Sequence, residues 1–155
     1  MKTHEGNFIA SGMRFALVCS RFNGFVTEQL IAGAEDALVR HGVAADAIDL
    51  YRVPGTFELA PVVRRLALGG KFHGVVALGC LIRGGTVHFD LLAAEVTKGV
   101  AAAANEAKCA VSFGVLAVDT IEQAVERAGT KHGNKGAEAA LAAIEVANLL
   151  KTLEA

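Results

Sequence analysis

The chain has 155 residues, enough for one α/β domain around a single core. Fifteen Lys and Arg against sixteen Asp and Glu leave a net charge of −1, and aromatic residues make up 6% with no Trp, which excludes a basic nucleic-acid surface and a base-stacking platform. The hydrophobic fraction of 53% exceeds the roughly 45–50% of an ordinary soluble domain, yet the longest charge-free apolar stretches, 75–82 and 110–118, fall far short of the roughly 18 residues of a membrane span.

In chain order, strands and helices alternate. Residues 14–20 (RFALVCS) form a short apolar run of strand length. Residues 24–41 read as a helix, with Val26, Leu30, Ala34, Ala37 and Leu38 at three- and four-residue spacing and Gly42 as its stop. Residues 47–53 (AIDLYRV) predict a second strand ended by Pro54–Gly55. A helix is expected over 56–68, with Leu59, Val62, Val63 and Leu66 on one side. Residues 74–82 (GVVALGCLI) predict a central strand buried on both faces. The Gly-containing turn 83–86 leads into a long Ala-rich helix, 87–108. Residues 110–118 (AVSFGVLAV) predict another doubly buried strand. A short helix over 120–128, a glycine loop over 129–136 and a last helix over 137–153 complete the pattern. This βα alternation implies a parallel sheet covered by helices on both faces, a three-layer α/β sandwich with a mainly four-stranded sheet. No repeat or linker interrupts it, so one domain over 1–155 is expected, with residues 1–12 as an extended arm. Surplus apolar surface on so small a domain is expected in contacts between subunits.

Met1 to Phe8 carries no apolar leader core. Cys19, Cys80 and Cys109 are odd in number and widely spaced, so reduced thiols in a cytoplasmic protein are the plain reading. No GxGxxG follows the first strand, and no GxxxxGK[ST], HExxH, GxSxG or carboxylate cluster occurs; no metal is expected.

Ligands of open α/β sheets gather outside the carboxyl ends of the strands. Gly84–Gly85–Thr86 ends one strand just before a helix. It reads either as an anion cradle of free N–H groups with a Thr hydroxyl or as a turn with a Thr cap. His88 follows in the first helical turn, where an imidazole can accept or relay a proton beside a bound phosphate. Phe22 lies past the first strand, as a shelf for a flat heterocycle or as a hydrophobic staple. Glu58, at a helix start, either complements the dipole or accepts hydrogen bonds from ring N–H groups. Arg127 falls outside the apolar stripe of Ile121, Ala124, Val125 and Ala128, as a solvated side chain or a phosphate clamp. Lys131, His132 and Lys135 carry the same two readings.

Taken together, SRFN (20–23), VPGTFEL (53–59), LGCLIRGGTVHFD (78–90), SFGVL (112–116), IEQAVERAGTKHGNKG (121–136) and EAALAAIEVANL (138–149) resemble the lumazine synthase family over nearly the whole chain. The resemblance implies a flavodoxin-like fold and an enzyme that uses neither cofactor nor metal. That enzyme condenses 5-amino-6-(D-ribitylamino)uracil with 3,4-dihydroxy-2-butanone 4-phosphate to 6,7-dimethyl-8-ribityllumazine, releasing phosphate and water, in the penultimate step of riboflavin biosynthesis. It implies that Phe22 stacks on the pyrimidine, and that Asn23, Thr56, Phe57, Glu58, Cys80, Leu81 and Ile82 hold the ring and the ribityl chain. Gly85 and Thr86 would bind phosphate and His88 would transfer protons. Phe113 and Arg127 would reach in from the adjoining subunit, and Lys135 is a supporting candidate. It further implies pentamers and, from the uninterrupted GTKHGNKG loop, a 60-subunit icosahedral shell, with riboflavin synthase as a partner.

Two rival readings share some of these features. A flavodoxin-like electron-transfer module would use the same turn and stack flavin on Phe22. A shell protein with a vestigial site would keep the assembly without the chemistry.

Overall fold

In the computed structural model of the protein, residues 1–153 are described; the last two residues of the unit expected over 1–155 lie outside them. Four strands form a parallel sheet in the order β2-β1-β3-β4, with β1 Phe15–Ser20, β2 Ile48–Val53, β3 Gly74–Ile82 and β4 Ala110–Val118. The three-layer flavodoxin-like sandwich read from the sequence is thus the fold.

Side chains alternate across the strands, and each face has its own core. Phe15, Leu17 and Cys19 of β1 with Val76, Leu78 and Cys80 of β3 meet helices α1 (Gly24–Arg40) and α5 (Lys135–Leu153). Ala16 and Val18 with Val75 and Ala77 meet α2 (Leu59–Leu68) and α3 (His88–Glu106). The central β3 is buried over Gly74–Leu81, as its apolar run requires.

Three expectations need correction. Residues 110–118 are not doubly buried throughout, because β4 is an edge strand and the helices leave part of one face uncovered. Phe113 and Ala117 are exposed there. The helix expected from Thr56 begins at Leu59, and residues 56–58 form a tighter 3₁₀ turn. The expected loop 129–136 contains an antiparallel ribbon, β5 (Ala128–Thr130) with β6 (Gly133–Asn134), before α5 starts at Lys135. Helix α4 (Ile121–Glu126) starts at the Thr120 hydroxyl, which accepts from the Gln123 N–H at 3.2 Å.

Residues 1–10 contain no helix or strand. The Asn148 side chain of α5 ties them down by donating to the carbonyls of Asn7 (2.9 Å) and Ile9 (3.0 Å).

Candidate active site

The carboxyl ends of β1, β2 and β3 surround a cavity of about 420 Å³. Phe22, Phe57 and Phe89 are its aromatic residues, Leu81, Ile82 and Leu92 its aliphatic ones, and Asn23, Thr56, Thr86 and His88 its polar side chains. A volume of this order suits a small heterocyclic ligand, and the few polar groups among apolar walls suit orientation of one.

Each side chain is placed by local chain physics. Phe22 is 69% exposed, although it is large and apolar, and the first helix starts two residues later. Asn23 sits in the left-handed conformation, its amide nitrogen 2.9 Å from the Cys80 carbonyl oxygen. The turn after β2 is closed by the Glu58 carboxylate, which accepts from the Gly55 N–H at 2.9 Å. This closure buries Thr56 and leaves Phe57 64% exposed. Thr56 packs so tightly on β3 that a Cβ at Gly79 would lie 2.9 Å from its methyl carbon. Gly84 and Gly85 have open space where a Cβ would stand, so their N–H groups can be approached closely. The Thr86 hydroxyl lies 3.4 Å from the His88 N–H at the start of α3.

A second hollow of about 370 Å³ lies on the uncovered part of β4, with Phe113, Arg127 and Lys135 among the residues that line it. No residue lines both cavities. Arg127 follows α4 and donates to the Gln123 carbonyl at 3.1 Å, and the Lys135 N–H donates to the Arg127 carbonyl at 2.9 Å.

The structure therefore gathers Phe22, Asn23, Thr56, Phe57, Leu81, Ile82, Thr86 and His88 in one cavity and Phe113, Arg127 and Lys135 in another. Cys80 is set apart. Its side chain points into the sheet core on the α1 side, and burial pushes its thiol up to about 11, so its contribution to the site is the carbonyl that holds Asn23. Alternation turns the Cys80 side chain to the face opposite Leu81, and Leu81 lines the cavity whereas Cys80 does not. Glu58 points its carboxylate back at Gly55 and lines an adjoining hollow with Phe57 and Glu95. Gly85 lies between two lining residues, Gly84 and Thr86. Sequence reasoning missed Phe89 and Leu92, although both lie on the motif's own helix, Leu92 one turn beyond His88. It also missed Arg83, whose partners Asp90 and Asp119 come from two other parts of the chain.

A parallel sheet with an aromatic-walled cavity and a glycine turn at its carboxyl edge defines a flavodoxin-like α/β ligand-binding protein. The sequence model for 6,7-dimethyl-8-ribityllumazine synthase matches residues 12–151. The 6,7-dimethyl-8-ribityllumazine synthase of Anaeromyxobacter dehalogenans (strain 2CP-C) is 58% identical over 153 residues, covering 99% of this chain and 94% of the relative. The protein of the same name from Chlorobaculum tepidum is 58% identical over 149 residues, 96% of each chain. The chain belongs to the 6,7-dimethyl-8-ribityllumazine synthase family and is a transferase of riboflavin biosynthesis. Membership in an enzyme family sets aside the electron-transfer reading. No helix among the described residues is long and apolar enough to cross a membrane.

Proposed function

We propose that the family's reaction, condensation of 5-amino-6-(D-ribitylamino)uracil with 3,4-dihydroxy-2-butanone 4-phosphate, takes place where the two cavities of different subunits meet. The pyrimidine lies on Phe22, with Phe113 of the adjoining copy over its other face. Asn23, Thr56 and Phe57 border the ring and ribityl chain, with Leu81 and Ile82 as apolar floor. Glu58 holds the turn that carries Thr56, and its carboxylate can accept from ring N–H groups. The phosphate sits on the N–H groups of Gly85 and Thr86, with Arg127 from the neighbour as its counter-charge and Lys135 in support.

His88 moves the protons. The amine adds to the ketone and water leaves to give an imine. Loss of a C3 proton and of phosphate gives an enol that becomes a second ketone, and the ribityl-bearing nitrogen closes the ring on that carbonyl with loss of a second water. Holding two substrates in contact can supply roughly 7 kcal/mol or more of the acceleration. A positioned base adds about 10²–10⁴-fold.

The observation that carries this reading is the division of the site residues between two cavities with no residue in common. Exposed apolar residues such as Phe25, Ile121 and Val125 support burial between subunits. The family resemblance supports pentamers, and the uninterrupted loop supports twelve of them in a 60-subunit shell; a cytoplasmic location and riboflavin synthase as a partner complete this reading. Isolated Phe22→Ala and Arg127→Ala assemblies should each lose about ten-fold or more in activity. Unfolding them together and reassembling the mixture should restore lumazine fluorescence beyond the sum of the two, because some sites then combine an intact Phe22 with an intact Arg127. A mixture no better than that sum would refute shared sites.

A further inference from the structure

The turn between β3 and α3 has little packed on it. Residues Arg83 to His88 are all exposed, and a Cβ at Gly84 or Gly85 would meet nothing within 4 Å. Val87, at the start of α3, makes no side-chain capping bond. Such a segment should sample many conformations in the free protein, at a cost to any ligand that must find its N–H groups in place.

One side chain ties it together. The Arg83 guanidinium places Nη1 3.0 Å from both carboxylate oxygens of Asp90, on the far side of the turn. Its Nε is 2.8 Å from Asp119 at the end of β4. The guanidinium carbon lies 4.4 Å from the centre of the Phe89 ring. The Arg83 N–H also donates to the Val118 carbonyl at 2.9 Å. Asp119 is fixed in turn, since its N–H donates to Gln123 Oε1 at 2.8 Å. A planar cation with several donors can hold two carboxylates and stack on a ring at once, which Lys cannot do.

We propose that Arg83 is a positioning residue for the phosphate turn and for His88, holding the two ends of the turn against the end of β4 through Asp90 and Asp119. This rests on the function proposed for that turn. The guanidinium is engaged by two carboxylates, and the cluster carries one net negative charge, so Arg83 shapes the anion site rather than binding the anion.

The test is steady-state kinetics of Arg83→Gln, Arg83→Lys and Asp119→Asn with each substrate varied in turn. It is paired with hydrogen exchange of peptide 83–90 in the ligand-free enzyme. Arg83→Gln and Asp119→Asn should both raise KM for the butanone phosphate, about three- to ten-fold, leave KM for the pyrimidine within about two-fold, and speed exchange of the peptide. Arg83→Lys should fall between Arg83→Gln and the native enzyme. If Asp119→Asn leaves that KM unchanged or lowers it while Arg83→Gln raises it, Arg83 binds the phosphate itself and the proposal fails. Native exchange and native KM in both variants would also overturn it. Absence of lumazine formation by the native enzyme would instead strike the proposed function, and the exchange readout would still judge the clamp.

Discussion

The carboxamide of Asn23 donates to the backbone carbonyl of Cys80 across 2.9 Å, pinning the turn that leaves β1 to the end of β3. Asn23 has φ 58° and ψ 48°, and it is the one non-glycine residue with positive φ among the described residues. Its carbonyl accepts from the N–H groups of Val26 (2.9 Å) and Thr27 (3.1 Å) and so starts α1. Asn tolerates this conformation better than residues without a short polar side chain. The exposed Phe22 ring is therefore aimed by the backbone of its neighbour, since little packs against it.

Asn23→Ala removes that hydrogen bond and places an alanine in the left-handed region. It should cost about 1–3 kcal/mol of stability. Asn23→Gly keeps the conformation and loses the bond, so it should cost less. Both should raise KM for the pyrimidine, because Phe22 is no longer fixed. Denaturant unfolding of the two variants checks the order. An alanine variant as stable as the native chain would mean that the turn is held elsewhere.

His88→Ala should slow turnover without abolishing it. The imidazole stands at the first residue of α3 and lines the cavity proposed to hold the substrates together with the neighbouring copy. Removing one general base removes about 10²–10⁴-fold, and the contribution of proximity stays. Steady-state kcat of the variant, read by lumazine fluorescence, decides. A fall beyond about 10⁵-fold would show that proton transfer outweighs positioning.

Much of this was legible in the sequence where the signal is local. The run of residues 74–82 announces a buried central strand, and the glycines with Thr86 announce a turn between strand and helix, which the sequence alone leaves open between an anion cradle and a Thr cap. What was hidden depends on partners far along the chain. Phe113 reads as core from its apolar run and is placed at the site only by the family resemblance; the strand order, with β4 at an edge, gives the physical reason it is exposed. The ribbon 128–134 is too short to show alternation, and its bends rest on positive φ at Gly129 and Gly133. Asn134 is a cap that could have been read, since its side-chain oxygen accepts from the N–H groups of Gly136 (2.9 Å) and Ala137 (3.1 Å) and so sets the start of α5. The Arg83–Asp119 pair spans 36 positions, beyond any local pattern.

The buried thiols predict a loss of stability in alkali. Burial pushes Cys19 and Cys80 from 9.0 up to about 11. The folded state then keeps protons that the unfolded state releases above pH 9. The stability from this source is complete below about pH 9 and is lost as pH rises towards about 11, by an amount on the order of 2 kcal/mol per thiol. Guanidinium midpoints between pH 8 and 11 should fall, and Cys80→Ala should show a shallower fall from a lower start. Rapid titration of both thiols by a disulfide reagent in the folded enzyme at pH 8 would contradict their burial.

Helices α1 and α5 touch backbone to backbone at Gly136 and Leu30. A Cβ at Gly136 would overlap the Leu30 carbonyl and stand 2.9 Å from the Leu30 Cα, both of them backbone, which cannot rotate away. The two helices must separate to admit it, so Gly136→Ala should destabilise by about 1–3 kcal/mol or more. Gly84→Ala is the control, because its Cβ meets nothing within 4 Å, and its stability should change by no more than about 0.5 kcal/mol. The displacement should also reach the second cavity. Lys135 adjoins Gly136, and its N–H holds the Arg127 carbonyl at 2.9 Å, so moving the start of α5 moves the residue proposed to neutralise phosphate. Gly136→Ala should therefore raise KM for the butanone phosphate as it lowers the unfolding midpoint. A variant that loses stability but keeps that KM would show that Arg127 is held by α4 alone, through its bond to the Gln123 carbonyl.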